Sequence, residues 1–227
     1  MLVRDWMSRN IITVGLHDSI ATAVELMKEH HIHTLPVVNG DKLLGIVTDK
    51  DIKRTVLPND SSPETHGAGF QYPGGRVKDI MVRNPVAVRD DQTIEEVAEV
   101  FVANTISSAP VVENKNKLVG IITKTDLFKA MIKLLGGGSE SVLIALQVLD
   151  WRGRIKEITD IIRAYGGRMR TVISTYDNAP EGYRNVYIRA SYVEHYKLPK
   201  MIEELHGKAA IRYVIDQYTN ERQIFLD

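Results

Sequence analysis

Apolar residues recur at helical spacing in two stretches that lie far apart in the chain. They are Ile20, Ala23, Val24 and Met27 in the first stretch, and Ile94, Val97, Ala98 and Phe101 in the second. Both sets follow the i, i+3, i+4, i+7 pattern of an amphipathic helix that buries one face. Thr93 followed by Glu96 predicts a capping box at the start of the second helix, and Asp18 or Ser19 can cap the first.

Two apolar runs follow each predicted helix. In "LPVVNGDKLLGIVT" the runs flank Asn39-Gly40, which is a strong signal for a tight β-hairpin. The second stretch has "ENKNK" at the turn, one residue longer. A short strand, 11–14 or 86–88, precedes each helix, and another helix follows each hairpin. Each stretch therefore predicts a β-α-β-β-α unit.

The two stretches are copies of one sequence. A shift of 74 positions places "VRDWMSRNIITV" on "VKDIMVRNPVAV", and a shift of 75 places "GIVTDKD" on "GIITKTD". A repeat this dense predicts two copies of one supersecondary unit that pack with pseudo-two-fold symmetry.

The remaining chain has a different pattern. It predicts, in order, a strand at 142–149, a helix at 152–165, strands at 169–176 and 185–191, a helix at 198–205 and a strand at 210–216. This βαββαβ order is the ferredoxin-like one, with helices on one face of an antiparallel sheet. The predicted fold class is α+β.

Pro-, Gly- and Ser-rich segments separate these regions. The sequence predicts a first domain at 1–54, a linker loop at 55–76, a second domain at 77–133, a Gly-rich linker at 134–141 and a third domain at 142–227.

Charge and composition narrow the classes of partner. The chain has 29 basic and 29 acidic residues and no cysteine. A net charge of zero gives no electrostatic footprint for nucleic acid or for an anionic membrane surface. The first residues, "MLVRDWMSRN", lack the apolar core of a signal peptide, and no apolar run approaches the ~20 residues of a membrane span. We expect a cytoplasmic protein without a nucleic-acid or membrane partner.

Both copies contain the motifs "VxDxMxRN", "PVV" and "GIxTxxD". Because of these motifs, residues 3–131 resemble a tandem pair of cystathionine-β-synthase (CBS) domains. The segment 142–216 resembles an ACT domain in its order of elements and in the stretch "LDWRGRIKEITDIIRAYGG". Arg152 stands where that family usually has Pro. The combination is similar to the bacterial acetoin-utilisation B family. The resemblance implies a regulatory homodimer, not an enzyme, that binds an adenosine-containing effector and acts through its ACT-like domain or on a metabolic enzyme.

The resemblance also implies a set of site residues. Asp51 and Asp126 would accept the two ribose hydroxyls, since a carboxylate accepts paired hydrogen bonds. Thr48 and Thr123 lie three residues earlier, on the same helical face. The main chain of Ile11, Ile12 and Thr13 in one copy, and of Pro85, Val86 and Ala87 in the other, would read the adenine edge. His33 and Lys124 are candidates for phosphate contact, and the turn of Leu149, Asp150, Trp151, Arg152 and Gly153 could hold a small ligand.

Several alternatives stay open at this point. Thr48 and Thr123 can be plain helix caps, with each Asp complementing the helix dipole. The effector can be AMP, ADP, ATP or S-adenosylmethionine, at one site or both, and no catalytic cofactor is expected. The cluster of His30, His31 and His33 lacks further ligands, so we expect no metal. No P-loop or G-x-S-x-G motif supports catalysis. The alternative function is a protein-interaction or amino-acid-sensing module with vestigial nucleotide clefts.

Overall fold

The computed structural model describes residues 1–55, 74–137 and 140–225. The chain divides into two compact units, Met1–Ala130 and Met131–Asp227. Most of the predicted linker loop, residues 56–73, lies outside the described residues, as do Gly138 and Ser139 of the predicted Gly-rich linker.

The first unit contains both copies of the repeat. The first copy comprises β1 (Val14–Gly15), α1 (Ile20–Glu29), β2 (Thr34–Asn39), β3 (Lys42–Thr48) and α2 (Asp49–Thr55). The second comprises α3 (Val77–Ile80), β4 (Val82–Arg83), β5 (Val88–Arg89), α4 (Ile94–Asn104), β6 (Ser108–Glu113), β7 (Lys117–Thr123) and α5 (Lys124–Leu134). The β-α-β-β-α order is confirmed, and α3 and β4 are additional elements.

The leading strands are shorter than predicted and start later. β1 pairs in parallel with β2 only through Val14 and Gly15, and β5 pairs with β6 only through Val88 and Arg89. Residues 11–13 and 85–87 therefore lie outside the strands. The predicted strand bounds are wrong because β-branched residues favour extended backbone, whereas cross-strand pairing decides which of them form a strand.

The predicted caps and turns are present. The Ser19 hydroxyl accepts from the Thr22 N–H, and Thr93 and Glu96 form the capping box of α4. Asn39 pairs with Lys42 across a two-residue turn in which Gly40 has φ 62°. In the longer second turn, Asn114–Asn116, Lys115 and Asn116 have left-handed backbone, with φ 60° and 65°.

The start of each copy packs on the other copy. Val3 and Met7 belong to the apolar core of the second copy, together with Phe101 and Ile122. Conversely, Val77 lies in the core of the first copy. Backbone hydrogen bonds follow the same exchange, from Val3 N–H to Gln92 O and from Val77 N–H to Asp18 O, both 2.9 Å. The chain therefore crosses between the cores just before residues 11–13 and again before residues 85–87.

The second unit has ferredoxin-like topology. Its elements are β8 (Val142–Leu149), α6 (Arg154–Ala164), β9 (Arg168–Thr175), β10 (Tyr183–Ser191), α7 (Leu198–His206), β11 (Ala210–Asp216) and β12 (Glu221–Ile224). The antiparallel sheet has the order β12-β11-β8-β10-β9. Both helices bury apolar faces against the sheet, with Ile158, Ile162, Met201 and Leu205 in one core. The edge strand β12 is an addition to the predicted βαββαβ order.

Candidate functional site

In the first copy, the end of strand β3 and the start of helix α2 join Thr48 to Asp51. The Thr48 hydroxyl donates to Asp51 Oδ2 at 2.6 Å, and the Thr48 N–H donates to the same oxygen at 3.0 Å. In return the Asp51 N–H donates to Thr48 Oγ1 at 3.3 Å. This reciprocal arrangement satisfies free N–H groups at the start of the helix.

The second copy repeats this geometry at the junction of β7 and α5. Asp126 Oδ2 accepts from the Thr123 hydroxyl at 2.6 Å and from the Thr123 N–H at 2.9 Å. The capping interpretation is therefore correct for one carboxylate oxygen of each Asp. The other oxygen, Oδ1, is the one left for a ligand.

The two Oδ1 atoms have different neighbours. Asp51 Oδ1 lies 3.8 Å from the Arg54 guanidinium, one turn further along α2. Within the described residues, Asp126 Oδ1 has neither an ion pair nor a hydrogen-bond donor. Asp126 is thus the better placed of the two to accept from a bound hydroxyl group.

A cavity of about 490 Å³ lies beside Asp126. Its size falls in the ~300–1,000 Å³ range of small-molecule pockets. Its lining comprises Ser8, Asn10, Ile11, Ile12, His31, Ile32, His33, Thr34, Ser107, Ser108, Ile121, Thr123, Lys124, Thr125 and Asp126. Isoleucine side chains provide apolar walls for a flat ring, and hydroxyl, amide and charged groups provide polar contacts.

The cavity contains residues from both copies. Of the candidate residues, Ile11, Ile12 and His33 of the first copy meet Thr123, Lys124 and Asp126 of the second. The sequence grouped residues 11–13 with the same copy's Asp51 instead. The grouping differs because residues 1–8 pack in the second core, so that the chain passes Asp126 as it returns to β1.

The other candidates do not line this cavity. They are Thr13, Thr48, Asp51, Pro85, Val86 and Ala87. Thr13, Pro85 and Ala87 are partly buried, whereas Val86 is exposed. Pseudo-symmetry relates residues 85–87 to the segment that lines the Asp126 cavity, and therefore relates them to the Asp51 side.

The residue that follows strand β3 or β7 differs in charge between the Asp51 side and the Asp126 side. Lys124, in the cavity, corresponds in the repeat to Asp49 on the Asp51 side. The Asp49 carboxylate binds Lys53 at 3.2 Å and lies 3.7 Å from His33 Nδ1. A phosphate near Asp126 would meet an ammonium group, whereas the same phosphate near Asp51 would meet a carboxylate.

Two hydroxyl groups join the copies at the cavity. Thr34 Oγ1 and Ser108 Oγ lie 3.1 Å apart, and their Cα partners across the hairpins are Thr48 and Thr123. Sequence reasoning did not identify Thr34 or Ser108 as site residues. Sequence reasoning also missed Ser8 and Asn10, although Asn10 belongs to the repeated "RN" motif.

A second groove, of about 600 Å³, lies between α1 and α2 and includes His31, His33 and Asp49. It contains neither Thr48 nor Asp51. Over the described residues, no group of three or more His, Asp or Glu side chains is arranged to hold a metal ion.

Contacts within the chain hold the candidate turn of the second unit, Leu149–Gly153, in place. The Asp150 carboxylate binds the Arg184 guanidinium at 2.7 Å, and the Arg154 guanidinium lies 5.5 Å from the centre of the Trp151 ring. Leu149, Trp151, Arg152 and Gly153 are exposed. These contacts favour a tight strand-to-helix connection.

No helix in the described part of the chain is long and apolar enough to cross a membrane.

Comparison with known proteins supports the repeat. A family model of the CBS domain matches residues 3–58 and 77–133. A CBS domain-containing protein of Dictyostelium discoideum is 30% identical over 140 residues, which cover 60% of this chain and 94% of that protein. An inosine-5'-monophosphate dehydrogenase of Methanocaldococcus jannaschii is 34% identical over 122 residues, 53% of this chain but 22% of that enzyme.

A solved structure is also similar to this chain. The crystal structure of CBSX2 in complex with AMP matches with a TM-score of 0.50 at 28% identity, covering 59% of this chain and 97% of that chain. The matched family model spans both copies of the motif that places Thr48, Asp51, Thr123 and Asp126 at strand-to-helix junctions. The chain therefore belongs to the CBS-domain family and carries a tandem pair of these domains.

Proposed function

We propose that this protein is a regulatory module that binds AMP, or another adenosine nucleotide, in the cavity beside Asp126. One observation carries the proposal: a single cavity contains Asp126, whose Oδ1 lacks a hydrogen-bond donor within the described residues, together with Lys124 and the Ile11–Ile12 segment. A ribose needs paired acceptors, a phosphate needs a cation, and adenine needs apolar walls with main-chain groups at their edge. The similar CBSX2 structure contains AMP, which supports the same ligand class here.

The Asp51 side is the weaker site in this proposal. Arg54 already faces its free carboxylate oxygen, and Asp49 lies where the other copy has Lys124. A neutral or cationic tail, as in S-adenosylmethionine, suits a carboxylate better than a phosphate does. We assign nucleotide binding to Asp126 first.

Calorimetric titration with AMP tests the assignment. Asp126→Asn keeps an amide oxygen for the Thr123 cap and replaces the free oxygen with an NH₂ group, which cannot accept. We expect AMP affinity to fall about tenfold or more, equivalent to about 1.4 kcal/mol. Asp51→Asn is the matched control, with affinity expected to change less than about threefold.

Other outcomes separate the parts of the proposal. Equal AMP binding by wild type and both variants would contradict a role for either carboxylate, and a loss only in Asp51→Asn would reverse the assignment. Lys124→Gln should weaken AMP more than adenosine, because only AMP has a phosphate. If S-adenosylmethionine binds and AMP does not, the phosphate contact is wrong while the adenosine class stands.

We further propose an ACT-type second unit, a homodimeric protein and a role in acetoin or amino-acid metabolism. The ferredoxin-like order of the second unit supports an ACT-type domain, and the arrangement after two CBS domains supports a role like that of acetoin-utilisation B proteins, in acetoin or amino-acid metabolism. Exposed Val102 and Phe128, at 80% and 60%, support a homodimer, which sedimentation equilibrium would detect.

If the protein captures a metabolic enzyme equally well with and without AMP, the interaction-module alternative is favoured.

A further inference from the structure

His33 lies just before strand β2 and lines the cavity beside Asp126. Its side chain is 83% exposed and also lines the groove between α1 and α2. The main chain fixes its place, because the His33 carbonyl oxygen accepts from the Asp49 N–H at 3.1 Å. In the part of the chain that the structure describes, no group hydrogen-bonds to the imidazole ring. The ring is therefore positioned at the cavity with its nitrogens open to a ligand.

The second copy has the same main-chain contact with different side chains. His33 corresponds in the repeat to Ser107, and Asp49 corresponds to Lys124. The Ser107 carbonyl oxygen accepts from the Lys124 N–H at 2.9 Å, as that of His33 does from Asp49. The cavity beside Asp126 takes His33 from one copy and Lys124 from the other. It therefore combines an imidazole with an ammonium group, whereas the remaining pair, Ser107 and Asp49, carries no cation.

Both signs of charge surround the His33 ring. The Asp49 carboxylate lies 3.7 Å from His33 Nδ1, beyond hydrogen-bond distance, and binds Lys53 at 3.2 Å. A protonated His33 thus has one near carboxylate, and that carboxylate is shared with a lysine. The charged or titratable side chains that line the same cavity and groove are Lys28, His31, Asp49, Lys53, Lys124 and Asp126.

An anion in this cavity selects one protonation state of the imidazole. Histidine is the side chain that ordinarily changes charge between about pH 5 and 8. The imidazolium donates from both ring nitrogens, whereas the neutral ring donates from one. A phosphate oxygen accepts such a charge-assisted hydrogen bond and attracts the positive ring. By thermodynamic reciprocity, an anion that favours protonation of His33 is itself bound more tightly when His33 is protonated.

From this arrangement, we propose that an adenosine nucleotide in the cavity beside Asp126 binds with uptake of a proton by His33, which contacts the phosphate next to Lys124. The inference rests on the function proposed above and adds a dependence on pH to it. Nucleotide affinity rises as the pH falls from about 8 to about 6, because the proton and the anion bind together. Adenosine, which lacks the anion, has the same affinity at both pH values.

Adenosine 5'-sulfate is a suitable probe because its charge is constant. A phosphate ester gains a proton near about pH 6, whereas a sulfate ester keeps one negative charge over this range. Calorimetric titration should give about fivefold higher affinity at pH 6 than at pH 8 for the sulfate ester, and no change for adenosine. Titration near pH 7 in two buffers of different ionisation enthalpy should show uptake of about 0.3 proton per bound sulfate ester.

His33→Gln keeps a side-chain N–H donor but cannot take up a proton. Because the His33 side chain is 83% exposed, the variant should fold like wild type. It should lose both the pH dependence and the proton uptake. His30→Gln is the matched control, since His30 is exposed and lines neither the cavity nor the groove, and it should keep both. Equal sulfate-ester affinity at the two pH values in wild type, or a pH dependence that persists in His33→Gln, overturns the inference.

Failure of the proton linkage can be told apart from failure of nucleotide binding. If AMP binds through Asp126 but the sulfate ester and adenosine respond equally to pH, the role of His33 is wrong while the proposed function stands. If neither AMP nor adenosine nor the sulfate ester binds at either pH, the proposed function and the proton linkage are both wrong.

Discussion

Asp51 and Asp126 occupy equivalent positions in the repeat, yet their carboxylates differ in what they can still bind. Each uses Oδ2 to cap a helix through Thr48 or Thr123. In the part of the chain that the structure describes, an arginine lies beside the second oxygen of Asp51 but not beside that of Asp126. A residue can therefore serve the fold with one atom and a ligand with the other, and the difference between the copies lies in their neighbours.

The glycine of each repeated motif has a packing role. A Cβ atom built on Gly45 would lie 2.8 Å from the Val82 carbonyl oxygen, in the strand β4 that pairs with β3. A Cβ atom built on Gly120, its equivalent, would meet the Met7 side chain first and would lie 3.1 Å from the Ser8 carbonyl oxygen. Glycine is needed here because the start of one copy crosses closely over a strand of the other.

We predict that Gly45→Ala destabilises the first unit by roughly 1–3 kcal/mol, because a backbone carbonyl can move only by disturbing the pairing of β3 with β4. Urea unfolding measures the change. Gly15→Ala is the control, since its nearest contact would be an ordinary 3.6 Å to Asp18, and it should change stability by less than about 0.5 kcal/mol. Equal effects of the two substitutions would contradict the packing role.

At the scale of elements, the ends of the helices in the second unit depend both on local sequence and on tertiary contacts. The helix predicted at 152–165 ends as α6 at Ala164, and Gly166 beyond it adopts left-handed backbone, with φ 84°. α7 ends at His206, and Gly207 after it stays helical, with φ −68°. The start of α6 is later than predicted, at Arg154, because Gly153 with φ 94° makes the turn from β8.

Replacing Gly153 with alanine should lower the free energy of unfolding of the second unit by about 1–2 kcal/mol, the cost of left-handed backbone for an L-residue. Gly207→Ala, at an ordinary helical φ, should be neutral or stabilise by up to about 1 kcal/mol. Thermal unfolding followed by circular dichroism compares the two. A Gly153→Ala protein as stable as Gly207→Ala would show that the turn relaxes without cost.

At the scale of the molecule, the exchange of leading segments links the cores of the two CBS copies. Val3 and Val77 are equivalent in the repeat and fully buried, but each lies in the core of the other copy. The same exchange brings Ile11 and Ile12 to Asp126. The cavity thus depends on both copies being folded together.

Val3→Ala and Val77→Ala should each cost roughly 1–3 kcal/mol through the cavity they leave. We expect Val3→Ala to reduce amide hydrogen-exchange protection most in residues 88–130, and Val77→Ala most in residues 14–52. The two variants serve as controls for each other. Loss of protection in the same copy as the substitution would contradict the exchange.

The sequence by itself determined the repeat, the order of the helices and strands other than α3, β4 and β12, the capping box at Thr93, the Asn39-Gly40 turn and the identity of Thr123 and Asp126 as paired residues. These features depend on residues that are close in the chain, where spacing and turn chemistry suffice. Only the tertiary structure decided that residues 1–8 pack on the second copy and that Ile11 and Asp126 share a cavity. Those contacts join residues far apart in the chain, and local periodicity carries no information about which core a crossing segment enters.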